Sequence, residues 1–163
     1  MHKSIQKLNN KHKLENFDCG IESLNKFLIN HALSNQNSNS VNTYVGIEED
    51  IIIGFYSLVV GSVFHAQAPS RIVKGLAKYP IPVMILARLA VSKMYQSQGA
   101  GKGLLKDALL RTVQASDIAG IRALLVHAKD DQAKSWYQQF GFEQSPSDNL
   151  HLFLLMKDLK KLI

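Results

Sequence analysis

The length, composition and charge of the chain exclude several classes of protein. Its 163 residues are expected to form one domain, residues 1–163, and a hydrophobic content of 46% excludes intrinsic disorder. No apolar run is long enough to span a membrane and no apolar signal region opens the chain, so we expect a cytoplasmic protein without a membrane partner. The single cysteine, Cys19, agrees with a reducing compartment. The net charge of +6 favours an anionic partner.

The first third of the chain predicts a helix followed by a hairpin. Asp18 is a suitable N-cap for a helix that carries an apolar side. Residues 34–42, SNQNSNSVN, predict a polar loop. Two β-branched and aromatic runs, Thr43 to Ile47 and Ile51 to Ser62, then predict a hairpin that leads into a long buried strand.

A basic segment follows this hairpin. Residues 69–79, PSRIVKGLAKY, predict a short helix with Arg71, Lys74 and Lys78 on one face. No acidic residue lies between these cations, so the face is either an ordinary solvated surface or a contact for an anion.

The segment from Met84 to Gln114 predicts a strand, a glycine-rich turn and a helix. The run Met84 to Val91 is apolar except for Arg88, and helical spacing of apolar residues begins at Leu104. The turn between them contains Gln96, Gly99 and Gly101 in the pattern Gln-x-x-Gly-x-Gly. Glycines allow close approach of the backbone, and the start of a helix offers free N–H groups, so this segment predicts a phosphate or pyrophosphate site. The glycine spacing fits neither a P-loop nor a Rossmann turn.

The last third predicts a further strand, a helix and a final pair of strands. The strand is residues 121–128, and Asp130 or Asp131 is expected to cap the helix that carries Tyr137. Residues 150–156 alternate as a strand does. The order of elements gives a mixed α/β sheet without a repeat.

Few residue patterns in the chain point to chemistry. No cluster of His, Cys, Asp and Glu has the spacing of a metal site, so we expect no metal, and no Ser-His-Asp set is visible. Tyr137 lies on the helix after the strand that follows the phosphate loop, where the fold could return it to that loop. An aromatic residue beside Trp136 and Phe140 is nevertheless more often part of the core.

Several segments together resemble the GNAT-fold toxins of bacterial toxin–antitoxin pairs, of the TacT/AtaT type. They are FDCG (residues 17–20), PIPVMILARLAV (80–91), IAGIRALLVHAKD (118–130), WYQQFGFEQSPSD (136–148) and the LKDL-like tail, with the Gln-x-x-Gly-x-Gly loop. The resemblance implies a GNAT fold, a mixed and mostly antiparallel central sheet flanked by helices, with splayed central strands that hold acetyl-CoA. It also implies aminoacyl-tRNA as acceptor, a ribbon-helix-helix antitoxin, operator DNA bound only through that antitoxin, and a homodimer.

The resemblance assigns roles to particular residues. It implies that Leu89, Ala90 and Val91 contact the pantetheine arm, and that the pyrophosphate is held by Gln96, Ser97, Gln98, Gly99, Ala100, Gly101, Lys102 and Gly103. Related toxins commonly carry Gly-Arg at Ser97-Gln98, so this chain has one cation fewer beside the pyrophosphate. Tyr137 matches the tyrosine that protonates the departing thiolate. The resemblance and the basic segment together make four cations candidate tRNA contacts: Arg71, Lys74, Lys78 and Arg88.

A direct transfer mechanism fits these residues. The α-amine of an aminoacyl ester, with a pKa of about 7.7–8.0, is partly neutral at neutral pH and needs no strong base. A backbone N–H near Leu89 would polarise the thioester carbonyl, and Tyr137 would act as general acid. Two alternatives stay open: a GNAT enzyme that acetylates a small amine or a protein amine, and a non-enzymatic CoA-binding subunit that acts as corepressor. The first would favour acidic pocket residues, and the presence of Tyr137 argues against the second.

Overall fold

The computed structural model describes residues 3–76 and 80–163, so Lys78 lies outside the described residues. The strands are β1 (Lys3–Lys7), β2 (Asn42–Glu48), β3 (Ile51–Val63), β4 (Ile81–Val91), β5 (Ala123–His127), β6 (Glu143–Gln144) and β7 (His151–Leu155). They form a sheet in the order β1-β2-β3-β4-β5-β7-β6. β4 and β5 pair in parallel, while β1-β2, β2-β3, β5-β7 and β6-β7 pair antiparallel. The mixed, mostly antiparallel sheet predicted from the sequence is confirmed.

Helices connect these strands. They are α1 (Glu22–Lys26), which continues through a π-helical turn (Phe27–His31) into α2 (Ala32–Asn37), then α3 (Ser70–Val73), α4 (Ala100–Ser116), α5 (Asp131–Gln138) and α6 (Met156–Leu159). Short 3-10 turns lie at His65–Gln67, Lys93–Tyr95 and Lys160–Leu162. No helix in the described part of the chain is long and apolar enough to cross a membrane.

The chain divides into two compact units that are interleaved in sequence. The first unit comprises Met1–Val59 and Ala87–Ala108, and the second comprises Val60–Leu86 and Leu109–Ile163. A single domain over residues 1–163 stays a prediction.

The core of the first unit forms around Phe55 on β3. Phe17 meets Phe55 edge-on at 5.6 Å between ring centroids, and Phe27 stacks on it at 6.2 Å. Leu28 and Val45 are fully buried in the same cluster. This apolar cluster packs the N-terminal helices against β2 and β3, and it therefore fixes the position of the Asp18 turn that precedes α1.

The core of the second unit lies between α3 and strands β4, β5 and β7. Ile72, Ile81, Ala123 and Phe153 are buried there to 1% exposure or less. The strand β5 is buried along almost its whole length, as the apolar run in the sequence predicts. A strand covered on both faces gives a rigid base for α5, which follows it in the chain.

The predicted hairpin is confirmed. β2 and β3 pair antiparallel and are joined by Glu49 and Asp50, which adopt φ values of 49° and 65°. Both residues are therefore left-handed, as a two-residue type I′ hairpin turn requires.

Two local predictions are wrong. The predicted helix over residues 69–79 ends at Val73: Lys74 leaves the helical conformation with ψ = 125°, and Gly75 is left-handed with φ = 81°. The side chain of Arg122 donates to the carbonyl oxygens of Ile72 and Lys74 at 2.9 and 3.1 Å. A left-handed glycine directly after the C-cap is a common way for a helix to end. The predicted polar loop at residues 34–42 is helical as far as Asn37. The N-terminal segment contains β1, which is not predicted from the sequence.

Asp18 is not an N-cap, which is also a correction. Its Oδ1 accepts from the backbone N–H of Gly20 and from Nδ2 of Asn25, both at 2.9 Å, and α1 starts only at Glu22. Asp18 therefore stabilises a turn before the helix instead of the helix end itself.

Candidate active site

The loop between β4 and α4 presents free backbone donors. The first bond that closes the α4 ladder runs from the N–H of Gly103 to the carbonyl oxygen of Gly99, at 3.0 Å. The N–H groups of Ala100, Gly101 and Lys102 precede that bond and have no acceptor within the helix. Their partial positive charge adds to that of the helix start, so this end of a 17-residue helix suits an anionic group.

The backbone of this loop is left-handed at two positions. Ser97 has φ = 63° and Gly99 has φ = 88°. A Cβ built on Gly99 would meet no atom within 4 Å, so the space beside this residue is open. An open space next to free N–H groups fits a phosphate or pyrophosphate, as the sequence predicts.

The side chains of the two loop glutamines face the protein backbone. Nε2 of Gln96 donates to the carbonyl oxygens of Cys19 at 3.0 Å and Val91 at 2.9 Å, and Nε2 of Gln98 donates to that of Met94 at 3.0 Å. An amide nitrogen has two hydrogens, so both donors of Gln96 are in use. Any contribution of Gln96 to ligand binding therefore comes from its backbone, or from the way its side chain holds the loop in place.

The last residues of β4 lie beyond the end of its ladder with β5. The described pairing of β4 with β5 covers Val83 to Leu86. Leu89, Ala90 and Val91 follow, and Ala90 is buried at 6% exposure. A Cβ on Gly54 of β3 would come within 2.8 Å of the Ala90 carbonyl oxygen, so β3 and β4 approach closely here. Backbone groups beyond the β5 ladder are what the predicted splayed strands require.

A cavity of about 360 Å³ lies in the first unit against the start of α4. Its wall includes Gly99, Ala100 and Gly103 on one side and Ile5 and Ile47 on the other. This cavity is not predicted from the sequence, because β1, which contributes Ile5, has no strand pattern.

Tyr137 lies on α5, in the second unit. Asp130 caps this helix, since its Oδ1 accepts from the N–H of Ala133 at 2.8 Å, which confirms one of the two predicted caps. Tyr137 is 8% exposed, and its ring meets Trp136 and Phe142 edge-on at 5.0 and 5.4 Å. Its hydroxyl has no hydrogen-bond partner among the residues that the structure describes.

Burial keeps the Tyr137 hydroxyl protonated. Loss of solvent raises the pKa of Tyr137 well above the ordinary value of 10. A phenol that stays neutral throughout the physiological range and has no internal acceptor can donate its proton to a strong base brought next to it. The burial of Tyr137 confirms that it is a core residue, and its role as general acid stays a prediction.

The candidate cations differ in their partners. Arg71 forms ion pairs with Glu143 at 3.0 Å and Asp158 at 2.8 Å, so its prediction as an unpaired cation is wrong. The two carboxylates were missed because they lie more than 70 residues away in sequence. Lys74 follows α3 and is exposed.

Arg88 has an aromatic partner instead of an acid. Its guanidinium carbon lies 3.6 Å from the centroid of the Phe27 ring, in the π-helical turn. Burial lowers the pKa of Arg88, and within residues 3–76 and 80–163 no carboxylate forms an ion pair with it. A half-buried guanidinium without an acid partner can accept an anionic group from a ligand.

Metal ligands are not gathered anywhere in the described residues. No group of three or more His, Cys, Asp and Glu side chains there could hold a metal ion. The first unit thus has a phosphate loop with free N–H groups and a strand end beyond the β5 ladder, and the second unit has a neutral buried phenol.

Comparison with known proteins agrees with this arrangement. The family model of the acetyltransferase (GNAT) domain matches residues 10–153. The chain is 46% identical to the tRNA-acetylating toxin of Mycobacterium tuberculosis over 147 residues, which cover 90% of this chain and 88% of the relative.

Solved structures match over almost the whole chain. AtaT complexed with acetyl-methionyl-tRNAfMet gives a TM-score of 0.91 at 28% identity and covers 99% of both chains. A tyrosine-to-phenylalanine mutant of AtaT, bound to the C-terminus of the antitoxin AtaR and to acetyl-CoA, gives a TM-score of 0.84 at 26% identity, covering 100% of this chain and 99% of that one. The GNAT fold and the family inferred from the sequence are confirmed. The chain belongs to the GNAT acetyltransferase family, in the group that contains the tRNA-acetylating toxins.

Proposed function

We propose that the protein is a toxin that transfers the acetyl group of acetyl-CoA to the α-amine of aminoacyl-tRNA and thereby blocks translation. The observation that carries this proposal is the 46% identity, over 90% of the chain, to a toxin that acetylates tRNA. The free N–H groups at the start of α4 support acetyl-CoA as the donor.

Donor binding is assigned to two backbone segments. Residues 97–103 hold the pyrophosphate through the N–H groups that precede the first α4 hydrogen bond. Leu89, Ala90 and Val91 bind the pantetheine arm through backbone groups, in the manner of an added strand. Ser97 and Gln98 add no cation, so binding of the pyrophosphate relies on the helix start and Lys102.

The reaction is a direct acyl transfer. The neutral α-amine of the acceptor forms a bond to the thioester carbonyl carbon, whose oxygen is polarised by a backbone N–H near Leu89. When the C–S bond breaks, Tyr137 donates its proton to the thiolate sulfur and is later reprotonated from water. The ammonium proton of the acceptor is lost to solvent. Because burial raises the pKa of Tyr137, the acid form is available at every physiological pH.

We assign the tRNA-binding surface to cations that are exposed or that form no ion pair with a carboxylate among the described residues. Arg88 and Lys74 have no ion-pair partner among the described residues, and they are the favoured tRNA contacts. Arg71 is shared with two carboxylates and is a weaker candidate. Lys78 keeps its place as a candidate from the sequence alone.

The proposed partners complete the function. A ribbon-helix-helix antitoxin neutralises the toxin and connects it to operator DNA, through which the pair represses its own operon. The protein acts in the cytoplasm as a homodimer. The part of the proposal that concerns an antitoxin is supported by the matched complex of an AtaT mutant with the C-terminus of AtaR.

Acetylation of total charged tRNA tests the proposal. The protein is incubated with labelled acetyl-CoA and with either aminoacyl-tRNA or the same tRNA after deacylation. We expect label only in the charged sample, in a product that mild alkali releases as an Nα-acetyl amino acid. Label that enters protein lysines or small amines, while charged tRNA stays unlabelled, would contradict it.

A further inference from the structure

The turn at Asp18 to Gly20 touches the chain just before the donor loop. The N–H of Lys93 donates to the carbonyl oxygen of Asp18 at 2.9 Å, and Nζ of Lys93 lies 3.5 Å from Oδ2 of Asp18. Nε2 of Gln96 donates to the carbonyl oxygen of Cys19 at 3.0 Å. Two segments more than 70 residues apart are therefore joined at three points, within the first unit.

A buried amide holds the other side of this turn. Asn25, 7% exposed, donates through Nδ2 to Oδ1 of Asp18 and accepts through Oδ1 from the N–H of Cys19, each at 2.9 Å. The carboxylate of Asp18 also accepts from the N–H of Gly20 at 2.9 Å, and these hydrogen bonds lower the pKa of Asp18 below its ordinary value. Asn25 thus fixes the residue, Cys19, whose carbonyl receives Gln96.

Gln96 carries this order into the donor site. Its second amide hydrogen is donated to the carbonyl oxygen of Val91 at 2.9 Å, so the side chain connects the end of β4 to the Cys19 turn. The next residues are Ser97 and Gly99, whose left-handed backbone has no regular structure to hold it. The free N–H groups of α4 can point at one phosphate only if this start of the loop is held in place.

We propose that Asn25 and Gln96 are positioning residues for the pyrophosphate of the donor. They act in series: Asn25 orders the Cys19 turn, and Gln96 transmits that order to the loop. Neither side chain contacts the ligand. This inference rests on the proposed use of acetyl-CoA, and it assigns a role to the FDCG segment (residues 17–20) that the chemistry leaves without one.

The first test compares two donors in the full-length protein. Gln96→Met keeps the length of the side chain and removes both donors, and Asn25→Ala removes both bonds to the turn. Loss of one or two such hydrogen bonds corresponds to a fall of about tenfold in kcat/KM for acetyl-CoA. Acetylpantetheine lacks the pyrophosphate, so its kcat/KM should fall clearly less than that for acetyl-CoA even though Gln96 also touches Val91, and its turnover also reports that the variant is folded.

The matched control is Gln36→Ala. The amide of Gln36 also makes two hydrogen bonds in the same unit. Nε2 donates to the carbonyl oxygen of Leu8 at 2.7 Å, and Oε1 accepts from the N–H of Thr43 at 3.0 Å. We expect Gln36→Ala to lower Tm about as much as Gln96→Met does and to leave kcat/KM for acetyl-CoA unchanged. An equal loss for acetylpantetheine in the Gln96 variant, or an equal loss for acetyl-CoA in the control, would overturn the inference.

A double-mutant cycle tests the series arrangement. If Asn25 acts through Gln96, the combined variant should bind acetyl-CoA no more weakly in calorimetry than Gln96→Met alone. Two independent, additive losses would refute the series. Wild-type protein that bound no acetyl-CoA would instead remove the proposed function, whereas tight wild-type binding with unaltered variants would remove this inference alone.

Discussion

Substitution of Tyr137 by phenylalanine separates the catalytic role of its hydroxyl from the packing of its ring. The ring is buried against Trp136 and Phe142, and phenylalanine keeps those edge-on contacts. The hydroxyl has no hydrogen-bond partner among the described residues, so the free energy of unfolding should change by less than about 1 kcal/mol. The matched AtaT mutant with acetyl-CoA has the same kind of substitution, and its fold is like that of this chain.

The effect on the reaction should be much larger than the effect on stability. A general acid contributes about 10²–10⁴ in rate, equivalent to about 3–5 kcal/mol of barrier. Single-turnover acetylation of aminoacyl-tRNA, with calorimetry of acetyl-CoA binding alongside, separates the chemical step from donor affinity. A folded Tyr137→Phe protein that acetylates at the wild-type rate would show that Tyr137 is only a core residue and that the proton comes from elsewhere.

The pH dependence of unfolding gives an independent check on the burial of this hydroxyl. Because burial raises the pKa of Tyr137, the unfolded chain loses this proton near pH 10, before the folded protein does. The stability that the neutral, buried phenol provides is therefore present below about pH 10 and is lost as the pH rises further. The difference in unfolding free energy between wild type and Tyr137→Phe should be constant up to that pH. Above it, the wild type should lose stability relative to the variant. A constant difference up to pH 11 would contradict the raised pKa.

The remaining predictions concern the donor loop, the cations and α5. Gly99→Val should weaken acetyl-CoA binding in calorimetry, while Gly75→Val, at another open left-handed position, should lose stability only. Substitution of Lys74 and Arg88 by Glu should weaken tRNA binding and reduce the slope of log K against log salt concentration by roughly 0.9 per lost phosphate contact. An unaltered slope would refute this prediction. Asp130→Ala should cost about 0.5–2 kcal/mol in urea unfolding through loss of the α5 cap, and no loss would show that the cap is redundant.

The parts of the fold that the sequence predicted are those with local causes. The β2–β3 hairpin follows from runs of β-branched residues around the turn at Glu49 and Asp50. The α4 helix follows from apolar spacing after a glycine-rich turn. The prediction of a phosphate loop has the same kind of basis, because free N–H groups at a helix start depend on neighbouring residues only.

The parts that the sequence did not predict depend on partners far along the chain. Arg122 donates to the carbonyl oxygens of Ile72 and Lys74 at the end of α3 from 50 and 48 residues away. β1 has a polar sequence, and it is a strand because its backbone pairs with β2. Arg71 has no acidic neighbour in the sequence, because its carboxylate partners, Glu143 and Asp158, lie far along the chain.

The prediction that Gln96 binds the pyrophosphate also depends on partners that are distant in sequence. The spacing Gln-x-x-Gly-x-Gly marks the residue but does not say where its side chain points. In the folded chain both donors of Gln96 are taken by Cys19 and Val91. A positive or neutral side chain that points into solvent at this position could contact a bound phosphate. The amide of Gln96 is instead hydrogen-bonded to the protein backbone. The residue is therefore best explained by the geometry that it imposes on the loop. Asn25→Ala leaves Gln96 in place and distinguishes the two roles, because only a positioning role depends on the Cys19 turn.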